Sequence, residues 1–308
     1  MRKILISSAA GLALLAFSGC APAKPTQKML PSESPTLTAK PMPDWVDLSK
    51  RAKPEAIVTS PWHDIVIGVP DLDDTPKLFT EIGGFTERYR DEMTLVLGAP
   101  GVENTQGGLI RFEKTAPDAI QTRPYGSQSW DSGCYFSVMM RAKDIASIIE
   151  DAEPLGWVPL NKVAYLEFGP SKLNIVVLTH KATGVQVQLY ERLTTPLPDG
   201  FPDFERISRP FNMMQMVRDR DAAYSFYQQT LGFDTFYYGK PYLSPEPENM
   251  PLGIPEELTT SVPYAAGITT PKSGLEWGRM EMIQVMMDGG QDLAQRCEPG
   301  NVGITEVR

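Results

Sequence analysis

The fold is decided by residues 212–233, NMMQMVRDRDAAYSFYQQTLGF. Residues 213–217 are apolar almost throughout and predict a buried strand. Asp219 follows, where a carboxylate oxygen caps the first free N–H groups of a helix. Ala223, Phe226, Tyr227 and Leu231 then recur at helical spacing, and Gly232 stops the helix before a strand over residues 233–238. The stretch is a strand–cap–helix–glycine–strand unit.

Two further copies precede it. Module one opens at Asp64, module two at Ser137 and module three at Asn212. Each reaches a capping aspartate (Asp71, Asp144, Asp219) seven residues later. From there Gly84, Gly156 and Gly232 lie 13, 12 and 13 residues on. In module two Ile145, Ile148, Ile149 and Ala152 share one helix face. Strand-like runs follow each glycine, over residues 94–97 and 109–112 in module one. In module two they cover residues 163–168, 173–178 and 185–190, with a turn at Thr183 and Gly184. Each module therefore reads βαβββ.

This pattern resembles the vicinal oxygen chelate superfamily, which holds glyoxalases, bleomycin- and fosfomycin-resistance proteins and extradiol dioxygenases. The motif VRDRDAAYSFYQQTLGF carries the most specific part of the resemblance. It implies an α+β fold in which tandem βαβββ modules curve into incomplete barrels. Five segments are then expected: a signal peptide over 1–20, a disordered tether over 21–58, a two-module domain over 59–192, a linker over 193–208 and a second domain over 209–308. The second domain is shorter than the first and looks truncated, because residues 303–308 resemble the opening strand of a fourth module. A fragment or completion by another chain would each explain that.

The same resemblance implies a divalent metal held by the first and last strands of paired modules. Alignment on the capping aspartates puts Asp64, with His63 beside it, and Arg111 at those positions in module one. Ser137 and Gln188 occupy them in module two; Asn212 and Glu281 do so in module three. This donor set suits a dication poorly, since carboxylate and imidazole ligands are scarce and an arginine repels the ion. Metal stays possible but disfavoured in the first domain, through His63 and Asp64, and Glu281 is a further candidate ligand. Glu113 and Glu281 are weak candidates for moving a proton. His180 is expected in a solvated turn. Of nine aromatics that suit a ligand cleft (Trp62, Tyr135, Trp157, Tyr165, Phe226, Tyr227, Phe236, Tyr237, Tyr238), about a third are expected to line one; the rest are core.

Composition excludes other classes. A net charge of −9 with no clustered Lys and Arg argues against nucleic acid. Arg2 and Lys3 precede an apolar run over residues 4–17, too short to span a bilayer. It ends at Phe17-Ser18-Gly19-Cys20, which resembles the lipobox of bacterial lipoproteins. Lipidation at Cys20 is expected, with a place in the cell envelope, on the periplasmic side of the outer membrane. Residues 21–58 are rich in Pro, Ser, Thr and Lys and read as the tether. Cys134 and Cys297 are expected to stay unpaired.

Two functions compete. One is a lipid-anchored protein that binds a small molecule in a cleft with a degenerate metal site, as a bleomycin-resistance protein does. The other is a metal-dependent lyase, isomerase or dioxygenase. The sequence leaves open whether the chain is an enzyme; the resemblance adds a habit of pairing into homodimers.

Overall fold

The computed structural model describes residues 37–308, except 104–106, 247–249 and 251. The signal peptide with Cys20 and the first part of the tether lie outside the described residues.

Module one comprises β1 (Asp64–Val69), a π-helical turn (Leu78–Ile82), β2 (Thr86–Arg90), β3 (Thr94–Gly98) and β4 (Leu109–Lys114). Module two comprises β5 (Tyr135–Ala142), α1 (Ile145–Ala152), β6 (Trp157–Pro159), β7 (Ala164–Phe168), β8 (Ser171–His180) and β9 (Gln186–Arg192). Module three comprises β10 (Ile207–Met216), α2 (Arg220–Ser225), β11 (Asp234–Tyr238), α3 (Glu256–Thr259), β12 (Tyr264–Thr270) and β13 (Arg279–Val285). β14 (Gly303–Val307) follows. In every module the last strand lies parallel to the first, and the middle strands continue outward from it.

Two of the three predicted caps form: Asp144 accepts from the Ser147 N–H and Asp219 from the Ala222 N–H. Asp71 instead accepts from the N–H groups of Asp73 and Asp74 in a turn, and the helical segment of module one starts later, at Leu78, without a side-chain cap. Gly84, Gly156 and Gly232 all have φ between 69° and 81°, the left-handed conformation that ends each helical segment without a Cβ penalty. Ile145, Ile148 and Ala152 of α1 are buried, each isoleucine contributing roughly 2 kcal/mol by leaving water. In module three the helix widens into a π turn at Phe226–Thr230. Phe226 opens this turn on the solvent side, while Tyr224, on the face shared with Arg220 and Gln228, takes the fully buried place.

The modules pair differently from the expected domains. β5 of module two lies antiparallel to β10 of module three, and together the two modules make one nine-stranded sheet, β11-β12-β13-β10-β5-β9-β8-β6, with β7 beside β8. β1 pairs with β14, giving a five-stranded sheet, β14-β1-β4-β3-β2. The free edge of β5 is therefore filled across the 193–208 segment, not by module one. That segment also enters the sheet, since β10 starts at Ile207. Pro210 sits at a register shift, where a strand tolerates a missing N–H.

The helical segments form the layer between the sheets. Ile65, Ile67, Phe79 and Phe112 of module one share a core with Ile148, Trp157, Leu178 and Met213. Phe79 meets the Trp157 ring edge-on at 6.1 Å.

Two more expectations are corrected. Residues 37–58 are not a free tether. Ala39 bridges to Met287, Leu48 is buried, Trp45 stacks on Tyr238, and the Ile57 N–H donates to the Leu231 carbonyl. Apolar residues spaced through a proline-rich stretch gave enough surface to hold it. Cys134 and Cys297 form a disulfide, with Cα atoms 5.0 Å apart. The chain brings them together because β14 returns to β1 directly past the start of β5.

Candidate functional site

The nine-stranded sheet packs α1 and α2 against its strands, and the side chains of β5, β9, β10 and β13 that point the other way border a cavity of about 830 Å³. Strand alternation decides which side chains reach it. On β13 Arg279, Glu281 and Ile283 do; on β10 Asn212 and Met214; on β5 Met139 and Arg141; on β9 Gln188, Tyr190 and Arg192. Register sets Arg279, Asn212, Met139 and Gln188 side by side across four strands.

Sequence positions assigned to two domains thus meet in one place. The Asn212 Nδ2 donates to Glu281 Oε2 at 3.3 Å, and the Ser137 hydroxyl donates to Gln188 Oε1 at 3.4 Å. Two polar atoms of this group, Asn212 Oδ1 and Gln188 Nε2, are buried without a partner. Glu281 is 7% exposed, and burial raises its carboxyl pKa to about 7 against the opposing Asn212 hydrogen bond and Arg279 charge.

Module one supplies none of this. Asp64 accepts from Arg111 Nε at 2.7 Å in the five-stranded sheet, and neither borders the cavity. His63 is more than half exposed, 3.8 Å from Asp64. Glu113 is held by Arg308 at 3.1 Å, so it is no candidate for proton transfer in the cleft. His180 is 1% exposed, not solvated. β8 runs through it, its Nδ1 lies 2.9 Å from the Thr183 hydroxyl, and the Asp74 carboxylate of module one covers its Nε2 at 3.5 Å. Burial lowers its pKa.

The chelate positions that do converge are Ser137, Gln188, Asn212 and Glu281: one carboxylate, two amides and a hydroxyl. With Asn212 already donating to Glu281 and the Arg279 cation in register beside Asn212, this set does not fit a dication. Among the described residues no three His, Cys, Asp or Glu side chains gather as a metal group.

Of the nine aromatics put forward for a cleft, Tyr165, Phe236 and Tyr237 line it. Sequence reasoning passed over Tyr190, Phe211, Tyr242 and Tyr264, and it passed over Arg141, Arg192 and Arg279. The parity of Arg141 with Ser137, and of Arg192 with Gln188, was the available signal.

No family model matches the chain, and no curated protein matches it. Among solved structures it is similar to glyoxalase I from Zea mays, at 18% identity and TM-score 0.49, over 75% of this chain and 69% of that one. A mutant 4-hydroxymandelate synthase from Streptomyces coelicolor gives 15% and 0.41 over 77% and 75%. Methylmalonyl-CoA epimerase from Mycobacterium tuberculosis gives 17% and 0.33 over 49% and 86%. The chain has a mixed α+β, glyoxalase-like fold, as its strand order and register define it.

Proposed function

We propose that this chain is a small-molecule-binding protein of the vicinal oxygen chelate superfamily whose chelating positions have been given over to ligand contacts. The observation that carries this is the cavity of about 830 Å³, lined by Gln188, Asn212 and Glu281 where a metal would be held, with Ser137 buried behind Gln188. A cavity of that size, mostly apolar with a few convergent polar groups, is what a drug-sized ligand needs. Sequestration of such a molecule, in the manner of bleomycin resistance, is one form of the function. The lipobox-like run Phe17-Ser18-Gly19-Cys20 supports a seat at the cell envelope, with Cys20 acylated and residues 37–308 on the periplasmic side. Cys20→Ser is expected to move the protein from the membrane to the soluble fraction.

A second reading is favoured by Glu281. A buried carboxyl with pKa about 7 beside a cavity is matched to proton transfer near neutral pH, as a lyase or isomerase requires. It is offered without a metal step, because the donor set does not fit one.

The test is the melting temperature of the full chain with Zn, Ni, Mn or Mg ions, and metal analysis of the purified protein. Binding without metal predicts no stoichiometric metal and no shift, since only a ligand of the folded state stabilises it. A bound dication lost on Glu281→Ala would overturn this reading in favour of the metal-dependent enzyme.

A further inference from the structure

Three arginines border the cavity and none is ion-paired among the described residues. The Arg141 guanidinium lies 4.1 Å over the Phe211 ring and 5.8 Å from that of Tyr190. Arg279 lies 3.8 Å over the Phe236 ring, with one Nη donating to the Leu275 carbonyl. Arg192 gives one Nη to Thr195 and the Pro196 carbonyl. All three Nε groups are buried without an acceptor. Burial pulls the Arg141 pKa down to about 10, and the charges of Arg192 and Arg279 push it further the same way.

Such a cluster is costly in the free protein. Like cations repel, and a desolvated guanidinium without an acceptor forfeits the hydration it had in water. Stacking fixes the planes of the Arg141 and Arg279 guanidiniums, and the Nη groups of Arg141 donate to no acceptor among the described residues. Carboxylates close enough to be felt do not neutralise the set: Glu281 is pulled toward protonation, and Glu276 forms no ion pair with these arginines. Tyr165, Phe168, Tyr237 and Tyr242 also line the cavity and give it aromatic surface for an apolar body.

Resting on the cleft-binding reading above, we propose that the ligand is an aromatic molecule bearing an oxyanion, carboxylate or phosphate, which Arg141 and Arg279 receive from β5 and β13, on either side of β10, with Arg192 at the end of β9. The guanidinium fork matches either group through paired N–H donors. The ring system lies over the aromatic wall, and Asn212 Oδ1 and Gln188 Nε2 meet polar substituents on it.

The experiment is calorimetric titration of the purified full chain at fixed ionic strength with naphthalene-2-carboxylate, 2-naphthyl phosphate and neutral 2-naphthylmethanol. At least one anion is expected to bind about tenfold tighter than the alcohol, and the better anion identifies the head group. Arg141→Gln and Arg279→Gln should each weaken that anion about tenfold and leave the alcohol within about twofold. Circular dichroism checks folding. Should a glutamine variant unfold, Arg141→Lys keeps the charge without the fork and should retain part of the preference. If the alcohol binds as tightly as both anions, or the glutamine variants leave anion affinity unchanged, the oxyanion assignment fails while the cleft reading stands. If none of the three binds, or binding survives unchanged in Ala266→Trp, which puts an indole into the cavity, the cleft reading falls and this proposal with it.

Discussion

In the five-stranded sheet the charged side chains that point away from the core find partners within the chain. Asp64 meets Arg111 at 2.7 Å, and Glu113 meets Arg308 at 3.1 Å. In the nine-stranded sheet the matching face keeps its charges apart. Arg141, Arg192 and Arg279 have no carboxylate partner among the described residues, and Glu281 is buried with only an amide to donate to it. The same βαβββ unit thus serves twice, once closed on itself and once left open toward a cavity. Unpaired charge in a folded interior is destabilising, and sites kept for ligands are where it persists.

The largest expected effect concerns the link between the two regions. The Cys134–Cys297 disulfide joins the start of β5 to the approach of β14 across 163 residues of sequence. Closing a loop of that length constrains the unfolded chain by about 5 kcal/mol. Cys297→Ser should lower stability by that order in urea unfolding. Hydrogen exchange should then quicken first at β1 and β14, with β5 and β10 still protected. Equal loss of protection in both sheets would show that they unfold as one unit and that the contrast between them has no stability counterpart.

The next effect belongs to Glu281. Its folded pKa, about 7, is raised above the ordinary 4.5. Below about 4.5 both folded and unfolded states hold the proton and the folded state is at its most stable. As pH rises from 4.5 through 7 the unfolded chain ionises first, so stability is lost by roughly 3 kcal/mol. Glu281→Gln should remove that slope from denaturation curves taken between pH 4.5 and 8. A slope that survives the substitution would place its source elsewhere.

The module architecture was legible because it rests on local signals. Asp144 and Asp219 cap their helices through an N–H three residues on, Asp71 closes a turn ahead of its helical segment, and Gly84, Gly156 and Gly232 need only their own φ. The parity that aims Gln188, Asn212 and Glu281 at one face follows from strand alternation. What stayed hidden is non-local. Nothing near Ser137 in sequence says whether β5 will meet β1 or β10. Pairing decides whether Ser137 and Gln188 sit with Asp64 or with Glu281. His180 was misplaced for the same reason, since Asp74 and Thr75 cover it from another module. Arg141 carries no metal-ligand side chain, so the chelate pattern that picks out Ser137 and Gln188 in the sequence does not pick out the arginine that faces the same way.

Within the closed region, Asp64→Asn should cost about 2 kcal/mol. It leaves Arg111 without its carboxylate, and the figure is discounted from a fully buried pair because Arg111 is 28% exposed. Thermal melts at neutral pH read this directly. An unchanged melting temperature would mean that the pair is worth no more than a surface contact.

The smallest effect has the opposite sign. Arg141→Gln removes a guanidinium whose Nε is buried and unpartnered and whose charge is opposed by Arg192 and Arg279. It also forfeits the stack on Phe211, worth roughly 1–2 kcal/mol when desolvated. The desolvation and repulsion relieved are of order 3 kcal/mol, from a pKa drawn down to about 10. The ligand-free variant should therefore be more stable than the parent by about 1 kcal/mol, a rise of a few degrees in melting temperature. Paired melts of Asp64→Asn and Arg141→Gln set the two regions against each other under one condition. Opposite signs fit a cleft held ready for an anion. If Arg141→Gln instead melts as low as Asp64→Asn, Arg141 is a structural pin on Phe211, and its lack of a partner is no sign of a ligand.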